Sequence, residues 1–188
     1  PPFSLFRDYV ALLMQYNKQF AIIGNQNAIT YREIFPLIKS NKIWLGYNNG
    51  HYWFMVPDSY EEKKTDFKID ESGQKWRRMG NICWFTNLDI EKRHEDMTLF
   101  RTYSPDIYPK YDNYDAIEVS KTADIPCDYD GYMGVPITFM QYYNPEQFEI
   151  AGLDDHRVEW VGHGPRLNGK VKYRRVIIRR KQANINEN

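Results

Sequence analysis

The sequence predicts an α/β fold that gives way, near residue 100, to a mixed, β-rich region. Three observations predict it. Residues 4–40 pass from helical apolar spacing to a short, almost wholly apolar run and back to helical spacing, the pattern of a helix–strand–loop–helix layer. Beyond Tyr103, prolines at 105, 109, 126, 136, 145 and 165 cut the chain into short pieces, which suits short strands and turns better than helices. The chain is also 16% aromatic, with 15 Tyr, 10 Phe and 5 Trp, and aromatic side chains fit pleated, half-buried surfaces. With 188 residues and 42% hydrophobic content, a sizeable core is expected and global disorder is not. Residues 1–100 read as one unit, 101–181 as a second, and 182–188 as a disordered polar tail.

The elements follow in order. Leu5, Phe6, Tyr9, Val10, Leu12, Leu13 and Tyr16 mark one broad apolar face of a helix over 4–16, with Ser4 as its N-cap. Residues 19–24 read as a buried strand, and Asn25, Gln26 and Asn27 as a polar loop at its C-terminal end. Thr30 and Glu33 are spaced as a capping box for a second helix over 31–40, which Pro36 should bend or shorten. The layer is expected to be parallel, with its first strand missing. Residues 43–46 and 51–56 are strand-like, joined by turn chemistry at Asn48-Asn49-Gly50. Residues 57–74 are charged and read as a mobile loop. Residues 81–88 read as a buried strand, which across the long connection can form an antiparallel pair with the preceding strand at the edge of the sheet. Farther on, 114–119, 134–140, 148–152, 158–162 and 172–180 are the expected strands. Asn144 and Pro145 start a single helical turn, and Asn168-Gly169 signals a hairpin between 157–162 and 171–180.

Composition excludes several classes. No run approaches the length of a membrane-spanning helix. Cys83 and Cys127 form no CxxC and no disulfide framework. His51, His94, His156 and His163 do not fall at metal-ligand spacing, so no metal site is expected. Gly162-His163-Gly164 lacks the βαβ setting of a dinucleotide loop and reads as a turn. A G-x-S-x-G nucleophile elbow is absent.

Charge sums to zero but is unevenly spread. Residues 94–165 hold 14 acidic and 4 basic side chains, whereas residues 166–188 hold 8 basic and 1 acidic. Lys170, Lys172, Arg174 and Arg175, interleaved with Val171 and Tyr173, suit a phosphate backbone. Arg77 and Arg78 beside Trp76, and Arg93 beside Lys92 and His94, are further phosphate candidates. Neutralisation of the acidic middle by these cations is the competing reading.

The chain opens on Pro1-Pro2-Phe3 and continues Ser4-Leu5-Phe6-Arg7-Asp8-Tyr9. Ile23-Gly24-Asn25-Gln26-Asn27-Ala28-Ile29-Thr30, Trp84-Phe85-Thr86-Asn87-Leu88, Gly134-Val135-Pro136-Ile137-Thr138-Phe139 and Tyr143-Asn144-Pro145-Glu146-Gln147-Phe148 follow in order. Together they resemble the EcoRI-type adenine-specific DNA methyltransferases, over residues 1 to about 180. The resemblance implies a Rossmann-like sheet that uses S-adenosylmethionine, here its C-terminal part with 82–87 as the antiparallel last strand beside 20–24, followed by a target-recognition region. It implies methyl transfer to N6 of an adenine flipped out of double-stranded DNA, because N6 is unreachable inside the stack. In that family's motif a polar residue precedes Pro-Pro-(Tyr/Phe). On this likeness Pro1 supplies a carbonyl to the adenine amino group, Pro2 stiffens the loop and Phe3 stacks on the ring. Asn25, Gln26 and Asn27 then lie beside that pocket. The motif's polar first member and the glycine-rich cofactor loop are not among these residues. The cofactor site is therefore expected mostly in a preceding N-terminal part, and the 188 residues alone are expected to be inactive. A bacterial or phage-encoded cytoplasmic enzyme without membrane attachment is implied. Two other readings stand beside it: a non-catalytic DNA-binding module, and an aromatic-rich β module that binds carbohydrate or protein.

Overall fold

The computed structural model describes residues 3–154 and 164–181. Pro1, Pro2, His156, His163, the expected strand at 158–162 and the tail at 182–188 lie outside the described residues.

A 3₁₀ turn, Phe3–Leu5, leads into α1, Phe6–Gln15. Ser4 therefore sits inside the turn rather than at the cap, and Leu5 holds the cap position without a side-chain hydrogen bond. Helix α1 buries Phe6 and Val10 against β1, Ala21–Asn25, and β4, Lys75–Thr86. The Phe6 and Phe85 rings lie 4.8 Å apart. Gly24 permits this approach: a Cβ there would stand 2.6 Å from the Phe6 ring.

After β1 the chain closes a 3₁₀ turn, Gln26–Thr30, and reaches α2, Phe35–Lys39. The expected capping box does not form. Thr30 donates its hydroxyl to the Asn27 carbonyl at 2.9 Å, so it ends the turn and caps nothing. The second helix is accordingly shorter than 31–40, and Pro36 stands in its first turn, where a missing N–H costs no hydrogen bond.

Strand β2 runs unbroken over Trp44–Met55. The expected turn at Asn48-Asn49-Gly50 is instead an irregularity within it. The register against β4 shifts between Leu45 and Asn49 and again between Gly50 and Tyr52, and Gly50 takes a φ of 119°, open to glycine and not to other residues. The segment expected to be a mobile loop contains β3, Phe67–Ile69, paired with β4. Tyr60 stacks on Phe67, and Arg77 donates to the carbonyls of Thr65 and Asp66 at 2.5 and 2.9 Å. Asp70 accepts from Ser72, Gln74 and Trp76. Those contacts order a segment whose charge suggested exposure.

The first sheet has the order β1-β4-β2, with β3 beside β4. Every pairing in it is antiparallel, so the expected parallel layer is not found among the described residues. The pairing of β1 with the end of β4 agrees with expectation, Ala21 opposite Thr86 and Asn25 opposite Ile82. Thr86 and Asn87 fasten it. Thr86 donates to the Phe20 carbonyl at 2.7 Å, and the Asn87 side chain accepts from Phe20 N and donates to the Lys18 carbonyl, both at 2.9 Å.

The second sheet contains β5, Ala116–Glu118; β6, Tyr132–Val135; β7, Phe148–Asp154; and β10, Arg175–Arg180. Its order is β5-β6-β10-β7, and β5 runs parallel to β6. The strand expected over 134–140 ends at Val135, because Pro136 introduces a 3₁₀ turn, Ile137–Gln141. The Asn168-Gly169 hairpin forms, with both residues at positive φ, as a tight two-residue turn requires. It joins β8, Arg166–Leu167, to β9, Lys170–Val171, rather than the longer segments expected. Residues 172–174 lie outside any strand. At Asn144 the expected single turn is present: its carbonyl accepts from Phe148 N at 2.9 Å and its side chain from Glu146 N at 2.8 Å.

One hydrophobic cluster spans both sheets, from Phe6, Ile38 and Leu45 to Phe139, Phe148 and Ile178. Polar bonds reinforce the junction. Lys39 donates to the Ala151 carbonyl at 2.6 Å, and Gln147 bonds both the N–H and the carbonyl of Met97.

Candidate functional site

The two sheets meet at an open cleft of about 750 Å³. One wall is the 3₁₀ turn after β1, with Asn27, Thr30 and Tyr31. The other is Tyr173, Arg174 and Arg175, at the entry to β10. Strand β1 sets the first wall. At its end the Asn25 side chain accepts from Asn27 N at 2.8 Å, an Asx-type turn that leaves Asn27 exposed at the cleft. The walls touch where Arg174 donates to the Thr30 hydroxyl at 2.5 Å. Helix α1 stands beside this place. The Arg7 guanidinium lies 5.5 Å from the Tyr31 ring centre, and Phe3, 45% exposed, precedes Arg7 by one turn.

Gln26 is buried, and its Nε2 has no hydrogen-bond partner among the described residues. Arg175 is not presented to solvent. Its guanidinium holds the Glu118 carboxylate, with Nη2 to Oε1 at 2.6 Å and Nε to both oxygens. The two side chains are 11% and 5% exposed. Tyr111 and Ser120 donate to the same carboxylate. Burial pushes the Glu118 carboxyl up, but the bonds from Arg175 and Tyr111 outweigh it and hold the group below its usual range. Arg175 therefore fixes the base of the cleft and contributes little unbalanced charge.

The remaining sequence candidates lie elsewhere. Arg77 is spent on the carbonyls before β3, and Arg78 pairs with Asp66 at 3.6 Å. Arg93 lies 3.6 Å over the Trp44 ring and donates to Asn41 at 3.1 Å, while burial lowers its pKa. Lys170 is exposed on β9. Lys172 lines a second cleft next to the first. The structure thus brings Asn27, Arg174 and Arg175 together and leaves Arg77, Arg78, Arg93 and Lys170 apart from them. Thr30, Tyr31, Ser120 and Tyr173 escaped the sequence reading as cleft residues. Glu118 did carry a signal, since a lone carboxylate in the apolar run 116–119 requires a cation. No group of three or more His, Cys, Asp or Glu side chains suited to a metal occurs among the described residues.

Residues 1–181 match the family described as adenine-specific methyltransferase EcoRI. The chain belongs to that family. It is 49% identical over 190 residues to the type II methyltransferase M.EcoRI of Escherichia coli, an alignment that covers 97% of this chain and 56% of that protein. It is 40% identical to M.MgeORF184P of Mycoplasma genitalium and 39% identical to M.MpnI of Mycoplasma pneumoniae, both type II methyltransferases. Each of those alignments covers 97% of this chain and 63% of the relative. The chain thus spans between half and two thirds of the length of these family members. No solved structure matches it. No helix among the described residues is long and apolar enough to cross a membrane.

Proposed function

We propose that this chain is the C-terminal part of a cytoplasmic, site-specific DNA methyltransferase that acts on N6 of an adenine flipped out of duplex DNA. In that enzyme β1 and β4 end a Rossmann-like sheet, and the second sheet belongs to a target-recognition region. The observation that carries the reading is the cleft itself. It joins Asn27, at the C-terminal end of β1, to Arg174, from the basic segment. A nucleotide held there meets a side-chain amide on one wall and a cation on the other, the pairing needed to hold a base edge and its phosphate.

The fit to S-adenosylmethionine is a separate matter. That cofactor carries a sulfonium and an ammonium cation, a carboxylate and two ribose hydroxyls; an arginine can meet the carboxylate, but the two cations and the hydroxyls call for acidic acceptors. The charged groups that line the cleft are Arg174 and Arg175. The residues that line this cleft do not suit the cofactor. The methyl donor belongs with other residues of the enzyme, and the 188 residues alone are inactive.

The roles left to this chain are binding and orientation. Phe3 offers a ring for the adenine, and the Pro1 carbonyl offers an acceptor to its amino group. Asn27 presents donor and acceptor together. Arg174, held by Thr30, meets the phosphate. In a methyltransferase of its relatives' length that carries these residues, Asn27→Ala lowers kcat/KM by about tenfold, ~1.4 kcal/mol of transition-state stabilisation. Arg174→Ala raises KM for DNA and flattens its salt dependence. Steady-state kinetics at several salt concentrations checks both, and unchanged constants in both variants count against the cleft as the site.

A further inference from the structure

The segment that supplies Arg174 also walls the second cleft, of about 570 Å³. Ser120 lines both clefts, so they adjoin. Lys172 points into the second cleft as Arg174 lines the first. Two positions along a chain span at most roughly 7 Å, the scale of one phosphate-to-phosphate step along a DNA strand. No described residue holds the Lys172 ammonium.

Large apolar side chains border the same path. Phe100 is 81% exposed and Ile107 68% exposed, both at the second cleft. Tyr173, between the two cations, is 87% exposed. Exposed apolar side chains gathered along one path, rather than scattered singly, mark an interaction surface. The acidic groups nearby are already matched. Glu118 belongs to Arg175, and Asp124 pairs with Arg101 at 3.3 Å. At the second cleft Lys172 is therefore the cation left to meet a phosphate, although the surrounding sequence is acidic. Alternating cations and aromatic faces are the composition of a track for a nucleic-acid strand.

We infer that the two clefts form one trough that carries a single DNA strand beyond the target nucleotide, with Phe100 as the stacking platform for a flanking base and Lys172 as its phosphate contact. The inference rests on the reading of the chain as part of a DNA methyltransferase. It adds a second nucleotide subsite in the region read as target recognition. A flanking base that leaves the duplex stack finds a ring there, and the strand stays held on both sides of the nucleotide bound at Asn27.

The test is equilibrium binding of the 188-residue chain to fluorescein-labelled DNA, as duplex and as the single strand, over a range of salt. Lys172→Ala and Phe100→Ala both change exposed side chains. Lys172→Ala is expected to reduce the slope of log K against log salt by about 0.9 on duplex, the release from one phosphate. Phe100→Ala is expected to weaken single-strand binding by about tenfold, the scale of one lost base stack, with the salt slope unchanged. Lys68→Ala and Trp53→Ala, on the ribbon formed by β2, β3 and β4, are expected to bind as the parent chain does. The trough is overturned if Lys172→Ala and Phe100→Ala bind normally, or if the ribbon variants weaken binding in their place. Parent binding that is absent at low salt, or indifferent to salt, overturns it too. Methyl transfer by the longer enzyme is scored separately, so loss of the trough leaves the methylation reading to its own assay.

Discussion

Glu118 shows how much one residue can decide. It sits on β5, 5% exposed, and receives bonds from Arg175, Tyr111 and Ser120. Removing it strands a buried guanidinium, which costs about 3–5 kcal/mol. Glu118→Ala is expected to lose that much in urea unfolding at neutral pH, while replacing Glu118 and Arg175 together by apolar residues costs far less. A loss under about 1 kcal/mol in the single variant contradicts the network's role. The same carboxyl sets a pH dependence. Its folded pKa lies below its ordinary value, so its contribution is complete above the unfolded pKa and is lost as pH falls through the folded one. The parent chain should therefore lose stability below the usual carboxylate range more steeply than the double variant does. The sequence displays Glu118 as a lone charge in an apolar run, yet its partner lies 57 residues away. Only the order β5-β6-β10 brings them together, and nothing local encodes that order.

At the scale of elements, α1 and the β1–β4 pair hold the first wall of the cleft. Phe6 is 1% exposed and packs on Phe85 over Gly24. Phe6→Ala is expected to cost about 3–5 kcal/mol in chemical unfolding, and a near-neutral result would mean that α1 is not anchored there. These elements were legible because each carries its own signal. Helical spacing marks α1 and an apolar run marks β1, whereas the β1–β4 pairing, which joins Phe20 to Thr86 across 66 residues, was implied only by the likeness to the methyltransferase family. Other elements were misread for identifiable reasons. Asn48-Asn49-Gly50 has turn chemistry, but β4 pairs with β2 on both sides of it and the glycine is absorbed as an irregularity. Thr30 and Glu33 have capping-box spacing, but Arg174, 144 residues on, and the Asn27 carbonyl both engage the Thr30 hydroxyl. The charged stretch 57–74 has little apolar content, yet Phe67 and Tyr60 suffice to seat β3. In each case a distant partner outweighs the local signal.

At the scale of the molecule, one apolar cluster ties both sheets together, and the cleft lies where they meet. The site therefore depends on the whole arrangement, and of the eleven described residues among those expected to act, three line it. Asn27 was legible from its place after a buried strand, and Arg174 from the basic segment. The mutual position of the two was not, because it requires the second sheet to fold back on the first. Family membership gives the assembled site its chemical meaning, and the most direct test is of the product. A polypeptide of its relatives' length that carries these 188 residues is incubated with duplex DNA and S-adenosylmethionine labelled in the methyl group, and the DNA is digested to nucleosides. The account predicts the label in N6-methyladenine, and none transferred by the 188 residues alone. Label in a methylated cytosine, no label in DNA from the longer chain, or transfer by the 188 residues alone would contradict it.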